Sequence, residues 1–392
     1  MRRYPYKQMP NINQQNGLVI VVVLLIVTLM VTLLAFMVER QQLIIRRVTN
    51  QNIAEQGFQY AQAVNAWAER VLNDDDNPLS DHLNEDWATF GQPIEEDSED
   101  EDDGFQQEDF TLDLKSNGDA EEKERIFINI DFDGLEYSIV DLQSRFNLNN
   151  LSARDPRFAE SQKRIFLNLL EQLEVGDLNQ REQLYGALVD WVDENDLENI
   201  EGGGGTESGS YGIKKTPYYA ADQQLSSVGE LKFVEGFNSE IINAIKPFVT
   251  VLPVDNLRIN LNTASVEVLA SLNSATVADT ASVSTFLIQR DQPEFQGFAQ
   301  GDIQTAETAI IGVNPVGAQP IANMLQVNSQ FFQINAKVTL GDSQYCMKTV
   351  VLREAAAQGG SSTPKLSVLR RQQDTLCKEE NTTIISSDEI LL

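Results

Sequence analysis

The sequence predicts an α+β protein. A long N-terminal transmembrane and assembly helix packs on a small antiparallel sheet, and a large helical domain is inserted into that sheet. Three observations carry this reading. Residues 18–38 are an unbroken apolar run whose polar side chains are two threonines. Residues 125–141 and 328–354 alternate with the period of two expected of strands. Between them, residues 155–325 carry apolar side chains mainly at helical spacing.

The apolar run decides the class of protein. At ~1.5 Å per residue it spans roughly the 30 Å hydrocarbon core of a bilayer. Arg2, Arg3 and Lys7 precede it without an acid, so the positive-inside tendency keeps the N-terminus cytoplasmic and sends the body across the membrane. A secretory signal peptide has a shorter apolar region ending in small residues, and Ala35-Phe36-Met37 offers no such cleavage site. The small residue lies in front of the run, at Gly17. Two readings stay open on the run alone: an uncleaved signal anchor, and a leader removed between Gly17 and Leu18. Beyond it, Ile44, Val48, Phe58, Val64, Trp67 and Val71 fall along one side of a continuing helix to Leu72. Its outer half is expected to pack on the soluble body.

Composition narrows the functions. The 392 residues carry a formal net charge of -30, which opposes a nucleic-acid partner, because phosphate is bound mainly by Lys and Arg. The single histidine, His82, argues against multi-histidine metal sites and histidine-based catalysis. Two cysteines, Cys346 and Cys377, are too few for a zinc cluster. Whether they pair as a disulfide is open, since that depends on the compartment.

Residues 73–124 break the composition, with Asp74-Asp75-Asp76 and a nearly continuous acidic run over 95–103. Such a segment reads as a solvated variable loop. Ile126, Ile128 and Ile130, the turn signal Asp133-Gly134, then Leu135, Tyr137 and Ile139 read as a β-hairpin. Asp155-Pro156 caps a first inserted helix, and Asn179 with Glu182 reads as a capping-box start for a second. Asn262-Thr263 reads as another N-terminal cap, with Glu267 in the first turn. Phe331 to Leu340 and Tyr345 to Leu352 form returning strands around Gly341-Asp342, and Leu366 to Leu369 a last one. The simplest topology pairs these strands with 125–141.

A short basic leader ending in Gly17, followed at once by an apolar helix, resembles type IV pilin-like proteins. That resemblance implies cutting by a prepilin peptidase between Gly17 and Leu18. These proteins usually carry a Glu five residues into the mature chain, where this chain has Val22. The departure suits a special position in a filament. Asp141-Leu142-Gln143-Ser144-Arg145-Phe146-Asn147-Leu148-Asn149-Asn150-Leu151 makes the resemblance specific. It is similar to a stretch of the K-type minor pseudopilin family of bacterial type II secretion systems. The stalk around Arg40-Gln41-Gln42 and Ala66-Trp67-Ala68, the Asp81-His82-Leu83 run, and the PYYAA, LSSVGEL and INLNTAS stretches also resemble that family. Read from the residues themselves, the Asn-rich run is a structural corner whose side chains bond local backbone.

Asp190-Trp191-Val192-Asp193-Glu194-Asn195-Asp196 leads into a Gly-rich loop with Glu207 and Tyr211. Oxygen ligands at a helix end and on a loop suit calcium; an acidic surface loop is the alternative. The resemblance implies Ca2+ on Asp193, Asp196 and Glu207, with Ser208 standing where the family often has Asp. Residues 225–247 and 259–272 look helix-hairpin-helix-like, or SAM-like, with Asn238 at the second glycine position and Glu235 and Glu240 beside it. Those charges set the wrong field for DNA.

The expected layout is a leader over 1–17, the helix over 18–72, the acidic loop over 73–124, the pseudopilin sheet from 125–146 and 327–371, the inserted helical domain over 147–326, and a polar tail over 372–392. The resemblance implies a structural subunit in the inner membrane, with its body in the periplasm. Its partners are the I- and J-type minor pseudopilins in a tip complex, other pseudopilins and the prepilin peptidase. Catalytic residues and nucleic acid are absent from this reading. Two other classes stand against it: a membrane-anchored, competence-type DNA receptor, and an anchored hydrolase. The second lacks a G-x-S-x-G motif and a phosphate-binding Gly-rich loop.

Overall fold

The structure is a computed structural model that describes residues 16–74, 77, 79–90, 110–113, 125–128, 134–193, 208–272, 280–290, 292, 294–311, 324–341, 343–354, 365–374 and 377. The chain divides into two units, Met1–Gln59 and Tyr60–Leu392, and helix α1 (Asn16–Asn73) runs from the first into the second. In the first unit every described residue is helical. No Pro interrupts α1 over its 58 residues, and long aliphatic side chains dominate its first half, which suits a helix that meets no soluble core.

The second unit is built on a four-stranded antiparallel sheet in the order β10 (Lys365–Asp374), β9 (Ser343–Glu354), β8 (Phe331–Leu340), β3 (Leu135–Asp141). β8 and β9 form the expected hairpin, with Leu340 opposite Ser343. Gly341 sits in the turn at a φ of 60°, the left-handed region where glycine is favoured. Cross-strand partners lie on the same side of a sheet. The register therefore puts Tyr137, Ile139, Ile334, Ala336, Phe332 and Val351 on one face. That face is covered by the last turns of α1, through buried Val64, Ala68 and Leu72, and by α2 (Asp86–Thr89). Trp67 and Phe90 both pack on Tyr137, with ring centroids 5.2 and 4.7 Å away, and Trp87 meets Phe332 edge-on at 5.3 Å. Leu142, Leu252, Phe331 and Val350 form a smaller core.

The helical domain is an insertion between adjacent strands. The chain leaves the sheet at Asp141 and returns at Phe331, and Asp141 stands opposite Phe332. Inside the insertion lie α3 (Pro156–Gln172), α4 (Leu178–Val192), α5 (Ser208–Gly212), α6 (Ser239–Ile245), α7 (Val266–Ser271), α8 (Thr280–Leu287) and α9 (Ile303–Ile311). Two-residue parallel bridges tie β4 (Phe146–Asn147) to β5 (Val249–Thr250), and β6 (Ile259–Asn260) to β7 (Leu325–Gln326). One core runs through it, including Phe146, Phe166, Leu169, Leu188, Leu231, Ile245 and Leu269. Asp155 caps α3 as expected, accepting from the Arg157 N–H at 2.9 Å with Pro156 in the first turn.

Four local expectations are corrected. The 125–141 segment is not a hairpin: β2 (Arg125–Ile128) pairs with β1 (Phe110–Asp113), inside the acidic segment, while β3 pairs with β8. Local alternation identified both strands, but the long-range partner outcompeted the neighbouring one. The cap of α4 is Asp177, which accepts from the Gln180 N–H at 2.8 Å, rather than Asn179. The cap of α7 is Ser265, because Asn262 and Thr263 are drawn into buried polar contacts. β10 runs on to Asp374, past the last strand residues expected, and Cys377 beyond it is bonded to Cys346 of β9. That disulfide answers the pairing question left open by the sequence. The acidic run over 95–103 lies outside the described residues.

Candidate functional site

Two features carry function, one in each unit. In the first unit the feature is the exposed apolar surface of α1. Large apolar side chains from Leu18 to Val38 are 45–70% exposed, and Leu43, Ile44, Ile45 and Val48 extend the apolar surface further along the helix. The polar side chains in the apolar run are satisfied internally. Thr28 donates to the Leu25 carbonyl at 2.9 Å and Thr32 to the Leu29 carbonyl at 2.8 Å. The run thus offers hydrocarbon no unmet hydroxyl. By length and composition α1 can cross a bilayer. Gly17 and Leu18 fall in its first turn, and Val22 is exposed on it.

In the second unit the feature is the set of buried amides that anchors the insertion. Asn147 donates to the Val254 carbonyl at 2.7 Å and accepts from the Leu252 N–H at 3.0 Å. Asn149 donates to the carbonyls of Leu225 (3.1 Å) and Leu252 (2.9 Å) and accepts from the Leu225 N–H at 2.9 Å. Asn150 donates to the Leu257 carbonyl and to Gln162 Oε1, and accepts from the Leu257 N–H at 3.0 Å. Each amide replaces a strand partner for a passing chain that has none, which explains three buried asparagines in four positions. The corner reading holds, but the partners are distant segments rather than only local backbone.

A second polar cluster closes the junction. Asp141 ends β3 and accepts at one oxygen from Asn260 (3.1 Å), Thr263 (2.5 Å) and Ser329 (2.7 Å), and at the other from the Gln143 N–H (2.7 Å). Asp81 accepts from the Ser329 N–H at 2.6 Å and pairs with Arg353, which is 4% exposed. Arg353 also donates to the Ser329 carbonyl at 2.9 Å and lies over the Phe332 ring. Asn262 donates to the Val327 carbonyl and accepts from the Phe298 N–H. The chain must pass close here: Gly297 has a φ of 83°, and a Cβ on it would collide with the Ser80 hydroxyl. Burial pushes the Asp81 carboxyl up to about 7, against the Arg353 guanidinium and the Ser329 N–H. Burial raises the Asp141 carboxyl as well, against its four donors. Sequence reading gave Asp81, Ser329 and Arg353 no role. Runs such as Asp81-His82-Leu83 and INLNTAS, polar residues set among apolar ones, were the available signal.

Of the expected calcium ligands, Asp193 lies at the C-terminal end of α4, its N–H bonded to the Val189 carbonyl at 2.9 Å. Asp196 and Glu207 lie outside the described residues. Among the described residues, three His, Cys, Asp or Glu side chains are not grouped as a metal cluster. Trp191 meets Tyr211 edge-on at 5.3 Å, Tyr211 stacks on Tyr218 at 5.1 Å, and Lys214 lies over both tyrosine rings. Burial pushes the Tyr211 hydroxyl up to about 12. In the helix-hairpin-helix-like stretch, Asn238 caps α6 and Gly236 turns at a φ of 85°, with Glu235 and Glu240 exposed beside them.

The family model for protein K of the type II secretion system matches residues 144–254, the stretch that holds the asparagine corner and its backbone partners. Over that stretch the chain is similar to the type II secretion system protein K family. It is 27% identical to the type II secretion system protein K of Aeromonas hydrophila, over 93% of this chain and 98% of that one. It is 28% identical to the protein of the same name from Pseudomonas aeruginosa, over 86% and 89%. Its fold is similar to a chain in the crystal structure of the GspK-GspI-GspJ complex from the enterotoxigenic Escherichia coli type 2 secretion system. The TM-score is 0.59 at 20% identity, covering 84% of this chain and 99% of that one.

Proposed function

We propose that the protein is a minor pseudopilin that forms a tip complex with the I- and J-type minor pseudopilins and so starts or caps a type II secretion pseudopilus. The observation that carries this reading is the combination of an exposed apolar α1 with a sheet bearing a large insertion. A helix with apolar residues on all sides needs lipid or other helices around it. A body enlarged by residues 142–330 is too bulky for a repeating position in a filament, and Val22 lacks the carboxylate of repeating subunits. The protein acts by packing, not by catalysis. It is parked in the inner membrane with its body in the periplasm, is cut by the prepilin peptidase between Gly17 and Leu18, and then leaves the bilayer for the helical bundle. Supporting this reading over a DNA receptor is the net charge of -30.

Calcium is part of the proposal. Asp193, Asp196 and Glu207 are hard oxygen donors of the kind Ca2+ takes, and the ion would hold the segment after α4 to that after the Gly-rich loop. The deciding experiment is N-terminal and intact-mass determination after co-expression with a prepilin peptidase, followed by co-purification with the I- and J-type partners. A new N-terminus at Leu18 and a stable ternary complex are expected. An N-terminus elsewhere, or no complex, overturns the reading. Separately, calcium is expected to raise Tm and chelator to lower it; no shift removes calcium from the proposal and leaves the rest standing.

A further inference from the structure

The charges at the junction between the sheet and the helical domain do not balance. Asp81 (0% exposed) and Asp141 (3%) are both buried. Ser329 links them, its N–H donating to Asp81 and its hydroxyl to Asp141. Among the described residues, the cation bonded to this pair is Arg353, at the end of β9. The other described side-chain and backbone donors to it are neutral: Gln143 after β3, and Asn260 and Thr263 from the β6 corner. His82, next in the chain, meets Phe295 edge-on and lies within 3.4 Å of Glu85. With both carboxyls ionised the pocket would hold one uncompensated negative charge, which is strongly unfavourable away from water. Asp141 accepts four hydrogen bonds, and Asp81 accepts from Arg353 and from the Ser329 N–H; both settings suit a carboxylate, so the proton belongs to the pair.

We propose that this junction holds one proton, shared by the Asp81–Asp141 pair, and that its release as pH rises loosens the attachment of the helical domain to the sheet. In the protonated state the one remaining carboxylate and the Arg353 guanidinium cancel and the pocket is neutral. In the released state one negative charge sits among five converging chain segments: that after α1, the end of β3, the β6 corner, the β7–β8 link and the end of β9. The upward displacement of both carboxyls by burial agrees with this.

The sign follows from the folded value lying above that of an exposed aspartate, near 4. Between these values the folded chain keeps a proton that the unfolded chain gives up. The stabilisation is full below about 4 and is lost as pH rises through about 7. For one proton the unfolding constant changes by at most about tenfold per pH unit.

The test is denaturant unfolding of the full chain in detergent micelles, from about pH 5 to about pH 8, for the wild type, Asp81→Asn and His82→Gln. His82→Gln controls for the chain's single histidine. The wild type and His82→Gln are expected to lose stability toward pH 8, and Asp81→Asn is expected to be flatter by the amount of one proton. A wild-type slope retained in Asp81→Asn, or abolished in His82→Gln, overturns the proposal. Should Asp81→Asn fail to fold, infrared spectra of the wild type decide. A protonated-carboxyl band near neutral pH that disappears on raising the pH is expected, and its absence overturns the proposal.

Discussion

The two units invert the usual distribution of side chains in opposite ways. In Met1–Gln59 large apolar side chains are exposed along α1. In Tyr60–Leu392 a guanidinium, two aspartic carboxyl groups and several amides are buried. The first arrangement is tolerable because the missing apolar partner comes from outside the chain, as lipid or other helices. The second is tolerable because the junction's carboxyls, guanidinium and amides have their partners within the chain. An exposed apolar surface thus marks where the protein is completed by something else, and a buried polar network marks where it completes itself.

Substitutions can break this contrast. Arg353→Met removes the cation from the junction and leaves its acidic partners buried without it; a loss of about 3–5 kcal/mol is expected in denaturant unfolding. In the other unit, Ile26→Arg places a charge near the centre of the apolar run and costs about 3 kcal/mol of membrane insertion. Fractionation of membranes should show the variant shifted out of the bilayer, with the soluble body still folded. Asn149→Ala strands the Leu225 N–H and the carbonyls of Leu225 and Leu252, at about 2–3 kcal/mol. Binding of the partner subunits should survive where that variant folds. The smallest effect sharpens the rule. Among the described residues the buried Tyr345 hydroxyl has no hydrogen-bond partner, so Tyr345→Phe should strand nothing and stay within about 0.5 kcal/mol of the wild type or gain slightly.

Legibility from sequence followed the range of the interaction. The span over 18–38, the cap at Asp155, the β8–β9 hairpin and the strand character of β3 depend on residues within a turn or a few positions of each other, and all were readable. The caps of α4 and α7 were misplaced by a few residues because several capping side chains stand close together, and the structure draws Asn262 and Thr263 to other partners. The 125–141 hairpin failed because alternation specifies a strand but not its neighbour. The asparagine corner was recognised as structural, yet the backbone groups it bonds in other segments lie 76 to 107 positions away.

The sequence by itself determined that this chain carries a membrane-length apolar helix, an acidic segment, and a helical region between strands, because these are properties of local composition and period. It also carried the resemblance to the type II secretion system protein K family, through motifs over much of its length. Tertiary structure alone decided that Asp141 and Phe332 stand opposite each other, so that the helical domain is an insertion at one sheet end. It alone decided that Cys346 and Cys377 are bonded, and that Asp81, Asp141, Ser329 and Arg353 share one buried cluster. The physical reason is that burial and charge balance depend on which distant segments converge, and no local pattern encodes that convergence.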